Sequence, residues 1–251
     1  MRTSPALLCA AALTLAACGG NRSAGVAGQA DLLAEDDVVA TPATTGGLPA
    51  APGAPGPARA ITPAEATQTR CLGFTPEGAA WLVVEERLPG EKGATRVVRT
   101  VAAGGSDLPA VELGRLAPDE ESGDAMFGDE LESRIAENLD PINAAITERA
   151  LVACQAGVDL EMGAGGFRRE VREMIAWPQG KPIKVTFREG SVYAAPADGA
   201  AKKLADAPDE EGAEYKLTDL WFSTATPGAV AVISDASSEQ AKRVVVYIPP
   251  M

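Results

Sequence analysis

Short β-branched runs separated by turn residues recur between residues 81 and 248, and they limit the folds open to this chain. Residues 81–87 and 95–101 flank a Pro- and Gly-containing loop, and residues 183–187 and 191–193 flank the tighter Arg-Glu-Gly loop. Runs of this kind joined by short turns are typical of antiparallel hairpins. A third group of strands is predicted at residues 219–222, 229–233 and 243–248.

A helical stretch lies between the first two hairpins. Its apolar residues are three or four apart, which predicts one buried helix face packed on the core. Pro141 interrupts the pattern, so we expect two short helices at about 129–140 and 141–154. The predicted fold class is therefore α+β and β-rich, with antiparallel hairpins and an inserted helix pair. The apolar positions are Leu131, Ile135, Leu139, Ile142 and Ile146.

The N-terminal sequence is typical of an export signal. Arg2 precedes an apolar run of about 13 residues that ends at Ala17. A helix of that length rises about 20 Å, less than the roughly 30 Å bilayer core, which favours a signal peptide over residues 1–17. Leu15-Ala16-Ala17-Cys18 resembles the lipobox of bacterial lipoproteins. The alternative is an ordinary signal peptide that happens to contain Cys18.

The lipobox resemblance implies cleavage between Ala17 and Cys18, a diacylglyceryl group on the Cys18 sulfur and an acyl group on its new amino group. Several acyl chains give a lasting membrane anchor, at about 0.8 kcal/mol per buried methylene. Cys9 would be discarded with the signal peptide. Gly19 stands where the family carries an Asp for inner-membrane retention, which favours the outer membrane.

Residues 18–67 are rich in Gly, Ala, Pro and Thr and have few aromatic or β-branched clusters. Such a segment buries too little apolar surface to offset its ordering entropy, so a lipidated, disordered tether is predicted there. Residues 68–251 are the predicted globular part, of a size that suits one domain.

The amino-acid composition narrows the reactions and ligands that are expected of this chain. The chain has no His, which removes the usual general base and the commonest zinc ligand. Its net charge of −13 disfavours nucleic acid as a partner. No nucleophile motif is present, so we predict no enzymatic activity, no catalytic residue, no metal site and no cofactor.

Cys71 and Cys154 are the pair left after processing. An exported protein with two cysteines favours a disulfide, here between the first strand and the end of the second predicted helix. Closing a loop of about 84 residues stabilises by about 4–5 kcal/mol in the chain-entropy model. The alternative is two buried free thiols.

Residues 71–86 and 219–234 echo each other, since each has a Phe, a Thr-Pro turn closed by Gly and then an apolar run. An Arg-Val-Val strand follows each copy, at Arg96 and Arg243. These strings resemble blades of TolB-type or WD-like β-propellers, although two or three motifs do not close a ring. The element order also resembles a bacterial family of secreted proteins of unknown function, which implies a compact β-rich domain.

Two acidic clusters, 119–124 and 209–214, are the candidate cation sites, but neither has the Asp-x-Asp-x-Asp-Gly order of a calcium loop. Solvated loops are the favoured interpretation. We therefore expect an envelope lipoprotein, held to the membrane by its N-terminal lipid, with a binding or structural domain and an envelope protein as partner. The alternatives are an envelope hydrolase using acidic residues and a calcium or small-ligand binding module.

Overall fold

The computed structural model describes residues 48–88, 90, 93–105, 107–117, 127–160, 172–209, 212–235 and 242–251. These parts form two α-helices, thirteen β-strands and a short 3-10 turn at Pro178–Gly180. The helices are α1 (Pro63–Ala66) and α2 (Phe127–Glu148). The strands are β1 (Arg70–Phe74), β2 (Ala80–Leu88), β3 (Thr95–Ala103), β4 (Glu112–Leu116), β5 (Gln155–Ala156), β6 (Val158–Asp159), β7 (Arg172–Ala176), β8 (Ile183–Arg188), β9 (Ser191–Pro196), β10 (Lys202–Asp206), β11 (Tyr215–Phe222), β12 (Ala229–Asp235) and β13 (Arg243–Ile248).

The strands form three antiparallel sheets. The first sheet has the order β1-β2-β3-β4, the second β10-β9-β8-β7-β6 and the third β13-β12-β11-β5. The predicted hairpins are confirmed as β2–β3, β8–β9 and the β11–β12–β13 meander. No sheet of the described residues closes into a barrel. The β-rich class with antiparallel hairpins is therefore confirmed.

The sheets stack because their central strands are apolar on both faces. On β2, Leu82 and Val84 face the third sheet, while Trp81 and Val83 face α2. On β12, the residues at even positions face the first sheet and those at odd positions face the second. The layers therefore run α2, first sheet, third sheet, second sheet. A strand buried on both faces reads as a continuous apolar run, as the β2 and β12 sequences do.

Helix α2 is continuous from Phe127 to Glu148, so the prediction of two helices is wrong. Pro141 removes one backbone donor, yet the apolar stripe continues past it, from Leu139 to Ile142 and Ile146. Each buried aliphatic side chain contributes about 1.5–3 kcal/mol, enough in sum to offset the proline. Cys154 consequently follows the helix in an extended segment.

The packed part begins earlier than Gln68, within the predicted tether. Residues from Leu48 onward belong to the same compact unit as the rest of the domain. Ile61 is 6% exposed and packs with the α2 stripe, and α1 follows with a Thr62–Glu65 capping box. Composition alone missed this because a few well-placed apolar and capping residues order a Pro-rich stretch.

The two echoed sequences form equivalent hairpin turns that meet in space. Phe74 and Phe222 end β1 and β11 and are fully buried, and each turn closes on a glycine with positive φ. A Cβ built on Gly78 would lie 1.9 Å from the Pro227 carbonyl oxygen. Only glycine permits this approach between the two turns.

Candidate functional site

The segment after α2 joins the first sheet to the third. Ala150 has φ 49° and ends the helix, and the chain then turns to an extended conformation. Val152 exchanges two backbone hydrogen bonds with Phe74 of β1, at 2.9 and 2.8 Å. Gln155 and Ala156 pair instead with β11. We call residues 151–156 the junction segment, because they pass from one sheet to the next.

Cys154 lies in the middle of the junction segment and forms a disulfide with Cys71 of β1. The two Cα atoms are 6.0 Å apart, within the range of native disulfides. Both cysteines are half-buried beside the apolar cluster around Phe74. The bond fastens the junction segment to the first sheet at the point where the chain leaves for the third.

An extended arm, residues 53–61, lies along the junction segment. The Ala58 N–H donates to the Leu151 carbonyl at 2.7 Å, and the Ala153 N–H donates to the Gly56 carbonyl at 3.0 Å. At the end of the arm, Asn143 of α2 accepts from the Ile61 N–H and donates to its carbonyl, at 2.9 and 3.0 Å. The Asn143 amide thus holds the arm as a neighbouring strand would.

Glu65 anchors the start of α1 to its surroundings. Hydrogen bonds from Arg59, the Thr62 backbone and Arg70 hold the pKa of this carboxyl at about 2, against an ordinary value of 4.5. A carboxylate that accepts several charged or backbone donors stays ionised. The Glu65 side chain therefore carries its negative charge in the folded protein, where Arg59 of the arm is one of its partners.

An ion cluster ties the first sheet to β13. Glu85 on β2 pairs with Arg96 at 3.1 Å and with Arg243 of β13 at 3.6 Å. Arg243 also donates to the Glu85 carbonyl at 2.7 Å and to the Thr69 hydroxyl. These two arginines begin the echoed Arg-Val-Val strands. That repeat is the one feature of the sequence that indicated them. Their position between sheets was not predicted.

A serine, an acid and a lysine meet at the edge of the second sheet, yet they do not form a nucleophilic site. The Ser191 hydroxyl donates to Asp206 at 2.6 Å, and the Lys203 ammonium lies 2.5 Å from the same oxygen. The Lys203 hydrogen bond lowers the pKa of Asp206, and Asp206 in turn raises the pKa of Lys203. Neither partner is suited to take the serine proton at neutral pH.

The other predicted sites are placed as follows. Cys18, the signal peptide and the cluster at 119–124 lie outside the described residues. The cluster at 209–214 is described only at Asp209 and 212–214. In the described part of the chain no group of three or more Cys, Asp or Glu could hold a metal ion. Nor is any described helix long and apolar enough to cross a bilayer.

Comparison with known proteins adds no relative: no family model, no curated protein and no solved structure matches the chain.

Proposed function

We propose that this chain is a lipid-anchored protein of the bacterial cell envelope whose β-rich domain binds or scaffolds another envelope protein. The observation that carries the proposal is the Cys71–Cys154 disulfide in the junction segment. Structural disulfides belong to oxidising compartments, which agrees with the export signal and the lipobox at residues 15–18. Gly19 favours the outer membrane as the site of attachment.

The binding role is supported by what the described side chains do. Hydrogen bonds from Arg or Lys partners lower the pKa of five described carboxyls, so these groups act as ion-pair partners rather than as proton donors. The charged residues near Glu85 and around Glu65 fasten one element to another. The five carboxyls are Glu65, Asp107, Glu112, Asp159 and Asp206.

The blade-like character of the hairpins is part of this proposal. The β1–β2–β3 and β11–β12–β13 meanders share a Phe, a Gly-closed turn and a following Arg-Val-Val strand, and they pack face to face. We propose that the two are copies of one blade-like unit, the second sheet being added to the outer face of the second copy.

Membrane partition tests the anchor. The full chain should sediment with membranes and leave them only in detergent, whereas the Cys18→Ser chain should appear in the soluble fraction. Cys9→Ser is the matched control, and it should stay with membranes because Cys9 is discarded with the signal peptide. If the Cys18→Ser chain has lost residues 1–17 and still partitions as the unaltered chain does, the lipid anchor is wrong.

The two alternatives have their own tests. A calcium module requires that Ca²⁺ raise the melting temperature of the chain, through linkage of binding to folding. An acidic hydrolase requires a carboxyl of raised pKa in a cleft, observable as a bell-shaped pH dependence of glycoside cleavage. A calcium-dependent rise in the melting temperature would favour the calcium module over the binding role. Measured cleavage of a glycoside would favour the hydrolase over it.

A further inference from the structure

The outer edge of β13 has backbone groups that point away from its sheet. The Asp235 N–H donates to the Lys242 carbonyl at 3.0 Å, so this pair is hydrogen-bonded. Bonded pairs alternate along an antiparallel ladder, and the register therefore directs Val244 and Val246 toward β12. The N–H and C=O groups of residues 243, 245 and 247 then face outward. Among the described residues, no backbone or side-chain partner meets those of Val245 and Tyr247.

The edges of the first sheet, in contrast, are covered. At β4, Asn138 of α2 donates to the Leu113 carbonyl at 3.1 Å, and Arg134 donates to the Arg115 carbonyl at 2.5 Å. At β1, the junction residue Val152 forms hydrogen bonds with both the backbone N–H and the carbonyl of Phe74. Proteins protect sheet edges in this way against unwanted pairing.

The other described edges also carry protection. On the second sheet, β10 begins with two exposed lysines, which discourage strand pairing, and β6 at the opposite edge has two residues. On the third sheet, β5 likewise has two residues. The β13 sequence Arg-Val-Val-Val-Tyr-Ile combines high β propensity, six residues and no proline. Among the described sheet edges, the β13 edge is therefore the exception that lacks such protection, which indicates a function for it.

The β13 strand is held in place at both ends. Arg243 is bonded to the Glu85 carbonyl and the Thr69 hydroxyl of the first sheet. Near the other end, the Tyr247 ring covers Gly104, where a Cβ would lie 2.7 Å from the ring. Burial raises the pKa of Tyr247. An edge fixed at both ends loses little further entropy when a strand is added.

The first sheet extends past β13 and forms a shelf beside the open edge. β13 packs on β2 and β3 with one face and on the second sheet, including β10, with the other, while β4 lies one strand farther out. The cross-strand register places Arg99 and Val101 of β3, with Glu112 and Arg115 of β4, on the face toward the third sheet. A second copy paired antiparallel through β13 would bring its own shelf onto the same side, where the two shelves would collide. A single extended segment avoids that collision.

The shelf presents more exposed positive than negative charge. The side chains of Arg99 and Arg115 are 50% and 54% exposed. Their partners Glu86 and Glu112 are 10% and 46% exposed. A guanidinium has five N–H donors, so each arginine keeps donors for a second carboxylate. The shelf is therefore complementary to acidic side chains.

We propose that β13 accepts an extended, acidic segment of a partner protein as an added strand, with its acidic side chains facing Arg99 and Arg115. Strand addition takes affinity from backbone hydrogen bonds and specificity from alternate side chains. This inference rests on the proposed binding role and identifies its surface. It is independent of the anchor at Cys18, whose test is membrane partition.

The experiment uses the full chain in detergent and a capped octapeptide of alternating valine and glutamate. A matched peptide carries lysine in place of glutamate. We expect the acidic peptide to bind at least tenfold more tightly than the basic one, and to slow amide hydrogen exchange at Val245 and Tyr247. Without peptide, these two amides should exchange faster than those of Val244 and Val246. Absence of acidic-peptide binding, or equal binding of the two peptides, would overturn the proposal.

Variants at Val245 separate strand addition from other binding. Val245→Pro removes an outward N–H without removing a ladder bond, as is tolerated on edge strands. It should weaken peptide binding at least tenfold, while Val245→Thr, which keeps the N–H, should stay within twofold. If Val245→Pro does not fold, Arg99→Gln replaces it, since it keeps every backbone group and should reduce the preference for the acidic peptide at least tenfold. Peptide binding by the tested variant equal to that of the unaltered chain contradicts the proposal, as does self-association of the unaltered chain that Val245→Pro loses.

Discussion

Single residues decide how the arm and the turns hold together. Glu65 has a folded pKa of about 2, below its ordinary value of 4.5. The stability it contributes is therefore complete above about pH 4.5 and is lost as the pH falls from there toward 2. The proposed anchor belongs to the same scale, since the proposal assigns it to the sulfur of Cys18 alone.

The role of Glu65 is tested by measuring the free energy of unfolding in urea between pH 7 and pH 2, for the unaltered chain and for a variant. Glu65→Gln should lower stability at pH 7 and should flatten the loss that the unaltered chain shows below pH 4.5. At pH 2 the two chains should converge. Glu137→Gln, on the exposed side of α2, is the control and should follow the unaltered chain. Parallel curves for Glu65→Gln and the unaltered chain would show that Glu65 is not the titrating group.

Gly78 gives a second residue-scale prediction. Alanine there combines a φ of +94° with a Cβ only 1.9 Å from the Pro227 carbonyl oxygen, so we expect a loss of about 2–4 kcal/mol. Gly105→Ala is the matched control, because φ is +75° but no atom lies within 4 Å of the added Cβ. It should cost about 1 kcal/mol. Equal losses in thermal or urea unfolding would refute the close contact between the turns.

At the scale of elements, the hydrogen bonds between α2 and the arm, among the described residues, come from the side chain of Asn143. Asn143→Ala removes both hydrogen bonds to Ile61 while leaving the helix stripe intact. We expect residues 53–61 to become open to limited proteolysis and their amides to exchange at least tenfold faster. Thr147→Ala, one turn along the same helix, removes only a hydrogen bond to the Asn143 backbone carbonyl and should change neither. Unchanged protection in Asn143→Ala would mean that the arm is held elsewhere.

The elements also show what sequence patterns can and cannot predict. β2, β3, β8, β9 and the third-sheet meander follow from β-branched runs between turn residues, a local signal. β4 and β7 were missed because their sequences, Glu-Leu-Gly-Arg-Leu and Arg-Glu-Met-Ile-Ala, take their strand form from neighbours. The helix break at Pro141 was predicted from backbone chemistry, whereas burial of Leu139 and Ile142 on one sheet decides the outcome. Long-range packing is the part that local patterns omit.

At the scale of the whole molecule, three sheets and one helix share three apolar interfaces. Chain order and stacking order differ, since the last sheet in the sequence lies between the other two. The junction segment makes this possible by passing from the first sheet to the third, and Cys71–Cys154 fixes the crossing. The cysteine pairing followed from the predicted compartment, but its place between sheets required the fold. The open β13 edge likewise depends on strand register and was not predicted.

The most direct test of the proposed anchored, disulfide-linked protein is the intact mass of the chain purified from native membranes, before and after reduction and alkylation. The proposal predicts a polypeptide that starts at Cys18 and carries diacylglyceryl and acyl groups. It also predicts that Cys71 and Cys154 alkylate only after reduction. A chain that starts elsewhere without lipid, or free thiols at both positions in the unreduced denatured protein, would contradict it.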